Sequence, residues 1–287
     1  MRQYKIVSDT GADMSPELFK EWDVACINLT FMFEDNIELK NGDIAFKDFY
    51  NRMRNGECAK TSAATSETIK DYIRPLLQEG NDVLYLAFSS GLSATYNSGR
   101  LATEELKEEF PEANIVVVDS VAASAGQSLL LHDAVQNRNN GMSLEENAKW
   151  LEENKNHLCH WFTVDDLIYL KRGGRISAVS YFAATVLNIK PVLHVDDEGH
   201  LISMSKVRGR KASVKALFTK FEELCVDKEH DTIFISHGDC EEDATALAQM
   251  IEEKYGNKVQ LITNVGAVIG SHSGPGTLAL FFHGTQK

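Results

Sequence analysis

The sequence predicts an α/β fold, with a mainly parallel sheet flanked by helices in the N-terminal part and a mixed α/β unit in the C-terminal part. Three observations carry this. From Tyr4 to Arg138, short apolar runs alternate with helix-length segments, the order that produces parallel strands with crossover helices. Three apolar runs close in hydroxyl and acid pairs: Ser8-Asp9, Ser89-Ser90 and Asp119-Ser120. In open α/β sheets, ligands lie beyond such carboxyl ends of strands. After Asn139-Asn140-Gly141 the texture changes, with a hairpin and closely spaced strands among the helices. The 287 residues suffice for two domains of ordinary size, and the expected division is residues 1–150 and 151–287.

Each element has a local reason. Tyr4 to Ser8 reads as a strand. Ser15-Pro16-Glu17 starts a short helix, with serine as N-cap and proline at the first helical position. Val24 to Phe33 reads as one strand with partial alternation. Phe46 to Arg54 is a helix on the spacing of Phe46, Phe49, Tyr50 and Met53. Ser66 to Gln78 is another. Asp82 to Phe88 is a buried strand, and Leu92 to Glu109 a helix whose glutamates form a solvated face. Ile115 to Val118 is a short strand, Ala122 to Arg138 a helix, and Ser143 caps the next, Glu145 to Asn154. Lys190 to Val195 and Gly199 to Ser205 form a hairpin across Asp196-Asp197-Glu198-Gly199. Lys211 to Leu224 and Glu241 to Tyr255 are helices. Thr232 to Ser236, Lys258 to Thr263 and Thr277 to His283 complete the strands.

Composition narrows the function. The net charge of −13 argues against a phosphate-backbone binder, which needs clustered Lys and Arg. The start MRQYKIVSDTGAD runs into a strand rather than a signal peptide, and no run of about 18 apolar residues occurs, so a cytoplasmic protein with at most transient membrane contact is expected. Five cysteines form no CxxC pair and read as reduced core thiols.

The motifs point to a small anion. Ser89-Ser90-Gly91-Leu92-Ser93-Ala94-Thr95 follows a buried strand and opens a helix, where unpaired N–H groups, the helix dipole and hydroxyls favour a carboxylate or phosphate. Thr61-Ser62-Ala63-Ala64-Thr65-Ser66 and Ser271-His272-Ser273-Gly274-Pro275-Gly276 have the same character. Taken singly, each hydroxyl and acid pair reads as helix capping; together they favour a shared cleft. His272, in a loop with two glycines around a proline, reads either as bonded to a neighbour or as a partner of the anion. Lys171-Arg172-Gly173-Gly174-Arg175 and the group around Arg208 are basic exceptions in an acidic chain, either a solvated face or a site for phosphate or an acidic partner. His157-Leu158-Cys159-His160 splits its ligands over two strand faces, so no metal is expected. GxxxxGK[ST], GxGxxG and HExxH are absent, and Ser93 fails GxSxG. A binding protein is favoured over an enzyme, with a serine-dependent lipid ester hydrolase using Ser93 and His272 as the alternative.

These segments, in their order and spacing over the whole chain, resemble the DegV family of bacterial fatty-acid-binding proteins: Ser8-Asp9-Thr10, Thr61-Ser62, Ser89-Ser90-Gly91-Leu92-Ser93, Val118-Asp119-Ser120, Leu170-Lys171-Arg172-Gly173-Gly174-Arg175-Ile176, Lys190-Pro191, Arg208, and His272-Ser273-Gly274-Pro275-Gly276. The resemblance implies a long-chain fatty acid buried between two α/β domains, with no other cofactor. It also implies a separate ATP-dependent kinase that phosphorylates the carboxylate to an acyl phosphate for phospholipid synthesis. It places the carboxylate at Thr61 and Ser93, with Ser62, Ala94 and His272 around it. Ser8, Asp9, Asp119, Ser120 and Arg175 are expected as a supporting network, Arg175 pairing with a buried acid such as Asp9 or Asp119. Arg172 and Arg208 are expected to contact the kinase. Two departures stand out. Ala94 replaces a glycine frequent in the family, and Thr61-Ser62-Ala63-Ala64-Thr65 lacks the family's proline.

Overall fold

The computed structural model describes residues 3–177 and 188–287. Strands β1 (Tyr4–Asp9), β2 (Val24–Ile27), β6 (Asp82–Ala87) and β7 (Ile115–Asp119) form a parallel sheet in the order β2-β1-β6-β7. All six residues of β6 are buried, as expected for an unbroken apolar run covered on both faces. Alternation divides its side chains. Val83, Tyr85 and Ala87 face α3 (Ser66–Gln78) and α4 (Thr95–Glu109). Leu84 and Leu86 face α1 (Pro16–Glu21), α5 (Ala125–Asn139) and α6 (Leu144–Asn154).

The second sheet has six strands. β8 (Leu158–Thr163), β9 (Ile189–Val195), β10 (Leu201–Arg208), β11 (Phe234–His237), β12 (Leu261–Asn264) and β13 (Leu278–His283) run in the order β10-β9-β8-β13-β11-β12. Every pairing is antiparallel except β11 with β12. One face packs on α8 (Arg210–Leu224) and α9 (Glu241–Tyr255), through residues such as Trp161, Leu280 and Phe282. The opposite face meets α5, which lies between the two large sheets. Leu129, Leu130 and Leu131 of α5 are consecutive and all buried. Every residue from Ala125 to Leu131 is buried, so this part of α5 has no solvent face and both sheets cover it.

A small antiparallel sheet, β4-β3-β5, sits beside these layers. Its strands are β3 (Thr30–Met32), β4 (Leu39–Lys40) and β5 (Lys60–Ser62). With α2 (Phe46–Arg54) and α10 (Ala267–Ser273) it forms an aromatic core of Phe31, Phe33, Phe49 and Tyr50. Tyr50 Oη donates to Val265 O at 2.7 Å and ties this unit to the second sheet's connections.

Local capping is as the sequence reads. Ser15 accepts from Leu18 N, and Ser143 with Glu146 forms a reciprocal capping box. Four expectations need correction. Val24 to Phe33 is two strands. The chain leaves the parallel sheet at Asn28, and Leu29 N is held by Thr10 Oγ1 at 2.9 Å instead of a ladder partner. The helix expected from Leu92 begins at Thr95, because Leu92 N and Ser93 N both bond back to Ser89 O in a tight turn. The helix expected from Ala122 begins at Ala125, after Val121 and Ser124, both with positive φ. His272 lies in the last turn of α10, not in a loop. Among the described residues, no helix is long and apolar enough to cross a membrane.

Candidate functional site

A cavity of about 300 Å³ lies where the loops of the parallel sheet meet the α5 face of the second sheet. Its rim is polar. Thr61 and Ser62 end β5, Ser93 and Ala94 precede α4, His272 projects from α10, and Arg175 follows the short helix α7 (Ile168–Arg172). Ser62, Ala63 and Ala94 are solvent-exposed, so this rim is the open end. The far wall is buried: Phe162, Phe281 and Ala279, with His160 and Ser236 among them.

Thr61 Oγ1 and His272 Nε2 are 2.8 Å apart. Burial, and behind it the nearby Arg175 charge, pull His272 down to about 4, so the imidazole is neutral at neutral pH. Its Nδ1 has no partner among the described residues. Gly173 makes room for the ring, since a Cβ there would stand 2.1 Å from Nδ1. Ser93 Oγ accepts from Thr95 N at 3.2 Å and pairs with Thr95 Oγ1 at 2.9 Å. An anion at the rim would thus meet two hydroxyls, a neutral imidazole and a guanidinium.

The other expected residues are placed differently. Ser8, Asp9, Asp119 and Ser120 do not line the cavity; they brace the loops that do. Asp9 accepts from Gly11 N at 3.0 Å and Phe88 N at 2.9 Å, and burial raises it to about 6 despite these bonds. Ser8 Oγ donates to Leu86 O and accepts from Gln127 Nε2. Asp119 Oδ1 accepts from Ser90 N and Val121 N, each at 3.1 Å, joining two post-strand turns. Ser120 Oγ accepts from Ala122 N.

Arg175 is a correction. It pairs with neither Asp9, which accepts from Gly11 N, Phe88 N, Tyr85 Oη and Gln127 Nε2, nor Asp119, whose Oδ1 accepts from Ser90 N and Val121 N. Its Nε and Nη2 donate to Leu92 O at 3.1 and 2.7 Å, and Nη1 donates to Gly173 O. It thereby fastens the Gly173-Gly174 turn to the loop that carries Ser93. Arg172 and Arg208 are exposed and line no part of the cavity; Arg172 Nη1 donates to Cys58 Sγ at 3.6 Å. His272 is engaged by Thr61, and among the described residues no hydrogen bond joins it to Ser93. Among the same residues, no cluster of His, Cys, Asp and Glu could hold a metal.

Sequence reasoning missed the buried end. Ser124 Oγ donates to Asp13 Oδ2 at 2.6 Å and meets Ser236 Oγ at 2.8 Å. Asp13 also accepts from Gly266 N, and burial raises it to about 7. Ser124, Ser236 and His160 all face the cavity. No linear pattern marks them; they converge only through strand pairing and the placement of α5.

The comparisons with known proteins agree with this architecture. The profile described as "Uncharacterised protein, DegV family" matches residues 3–284. A DegV domain-containing protein of Clostridium perfringens is 45% identical over 289 residues, covering 100% of this chain and 99% of that protein. A solved stearic acid-binding protein from Eubacterium ventriosum superposes with a TM-score of 0.89 at 28% identity, covering 98% of each chain. A DegV family protein from Thermus thermophilus, solved for its fatty acid binding, gives a TM-score of 0.88 at 28% identity, covering 99% and 100%. With the profile spanning nearly its whole length and a relative of this identity matched end to end, the chain belongs to the DegV family.

Proposed function

We propose that this protein binds a long-chain fatty acid in the cavity and presents its carboxylate at the open rim to a separate kinase. The observation that carries the reading is the polarity of one cavity. Thr61, Ser93, His272 and Arg175 meet at the exposed end, and a mainly apolar wall closes the buried end. That order suits a molecule with one charged head and a long apolar tail. Burying about 15 methylenes at about 0.8 kcal/mol each favours binding by roughly 12 kcal/mol gross, so the tail dominates affinity. Hydrogen bonds to the carboxylate, at about 1.5–3 kcal/mol each, orient it and offset its desolvation.

The chain carries no nucleotide-binding motif. Phosphorylation of the carboxylate therefore needs a kinase in trans, and the head group lies at the end such a protein can reach. Arg172 and Arg208, exposed and acting as cations in an acidic chain, would contact the kinase or the transferring phosphoryl group. The protein acts in this reading as a carrier, not a catalyst. The hydrolase alternative is disfavoured by the pairing of His272 with Thr61 and of Ser93 with Thr95.

Native mass spectrometry of the purified protein tests the binding step: a fatty acid mass should be retained. Arrival without lipid, and failure to take up stearate or oleate after delipidation, would refute it.

A further inference from the structure

The buried end of the cavity is not uniformly apolar. His160 lies in the middle of the second sheet, paired with Phe281, and its ring forms part of the cavity wall while only 1% of the residue is exposed. Neither Nδ1 nor Nε2 has a hydrogen-bond partner among the described residues. The ring stands edge-on to Phe281, with centroids 4.9 Å apart at 83°. It fills space that a side chain at Gly126 would need: a Cβ there would lie 1.5 Å from Nε2. Burial holds the imidazole far below its ordinary value, so it is neutral and offers one N–H donor and one bare nitrogen.

A second polar element faces the same space. In the Asp13, Ser124 and Ser236 chain, Ser124 donates to Asp13. The Ser236 hydroxyl then donates to Ser124, which leaves the Ser236 oxygen free to accept. Ser236 and Phe162 both align with Ala279, and Phe281 aligns with His160, so Ser236 and His160 lie on the same sheet face on either side of β13. A plain alkyl tail satisfies none of these atoms. An unpaired buried polar group is costly, and a ligand atom that pairs with it gains correspondingly.

We propose that the cavity selects a fatty acid bearing a hydroxyl on its chain, held by His160 with Ser236 as a second acceptor. Gly126 covers Nε2, so Nδ1 is the nitrogen left for a ligand; a hydroxyl both donates and accepts and can pair with Nδ1 in either tautomer, whereas a keto oxygen can only accept. This rests on the fatty-acid reading above and names the substrate class within it.

The test is competition between stearate and a panel of monohydroxystearates, scanned along the chain, on delipidated full-length protein, read by native mass spectrometry. At least one positional isomer should bind about tenfold tighter than stearate. His160→Phe and His160→Leu should abolish that preference while retaining stearate. The proposal is overturned if no isomer outcompetes stearate on the wild-type protein, or if the preference survives in both variants. The wild-type panel decides the matter even if neither variant folds. A protein that binds neither class overturns the fatty-acid reading, and this one with it; equal binding of both overturns only this one.

Discussion

Thr61 and His272 stand 211 positions apart in the chain and meet at 2.8 Å, hydroxyl to imidazole, at the open end of the cavity. One comes from the small sheet and the other from α10, so their contact measures whether those units close correctly around a ligand. Removing the Thr61 hydroxyl in Thr61→Val, combined with Ser93→Ala, should weaken fatty acid retention roughly ten- to hundredfold. The lost His272 and Thr95 bonds should cost about 1–3 kcal/mol of stability and leave the fold intact. Wild-type retention in the double variant, measured by displacement of a bound fluorescent fatty acid, would remove both residues from the head-group site.

Proton linkage follows from the low value of His272. Without ligand it titrates near 4 rather than 6.5. A carboxylate beside it favours the charged ring and moves the value up, so binding takes up protons. Affinity should therefore rise as pH falls from about 7 toward 5, and His272→Asn should flatten that part of the profile. Titration calorimetry in buffers of different ionisation enthalpy reads the proton count directly; zero uptake in the wild type contradicts the linkage.

Asp13 makes folding, too, more favourable at low pH. Its folded value, about 7, lies above the ordinary 3.8, so the folded state holds the proton more tightly. That stability is fully present below about pH 3.8 and is lost as pH rises through about 7. Asp13→Asn mimics the protonated form. Its melting temperature should change less than that of the wild type between pH 5 and 8.

Gly173 and His272 are fitted to each other. A methyl on Gly173 would stand 2.1 Å from His272 Nδ1, so the ring must move. Gly173→Ala should lose more fatty acid binding than Thr61→Val alone, with a smaller effect on stability than on binding. Equal losses of melting temperature and of binding would make the glycine a general packing residue.

The three arginines should separate by readout. Arg175→Ala strands the carbonyls of Leu92 and Gly173 and should cost about 1–3 kcal/mol of stability, with partial rescue by lysine. Arg172→Ala and Arg208→Ala sit on the surface and should leave stability within about 0.5 kcal/mol. If both contact a kinase, its coupled rate should fall in each, with a salt dependence that the wild type shows more strongly. Unchanged coupled turnover in both would make them a solvated face.

The sequence by itself determined the elements whose causes lie within a few residues. The helices Phe46–Arg54, Ser66–Gln78 and Glu241–Tyr255 were legible from apolar spacing, and the Ser15 and Ser143 caps from residue type. The hairpin over Asp196–Gly199 followed from turn chemistry. Motif order also marked Thr61, Ser93 and His272, which line one cavity. Tertiary structure decided the rest. Val24 to Phe33 breaks because Thr10 captures the amide of Leu29, a contact across 19 positions that no periodicity records. Asp9 was visible as a polar end to a strand, but its role as a loop brace, and the turning of Arg175 toward carbonyls, depended on which donors folding brought near. His160 and Ser236 became part of the cavity only when β13 paired with both of their strands and α5 covered that face. Caps and amphipathic spacing act over one or two turns of chain. Strand register and cavity walls depend on partners scores of residues away, and in the linear sequence those partners carry no mark of one another.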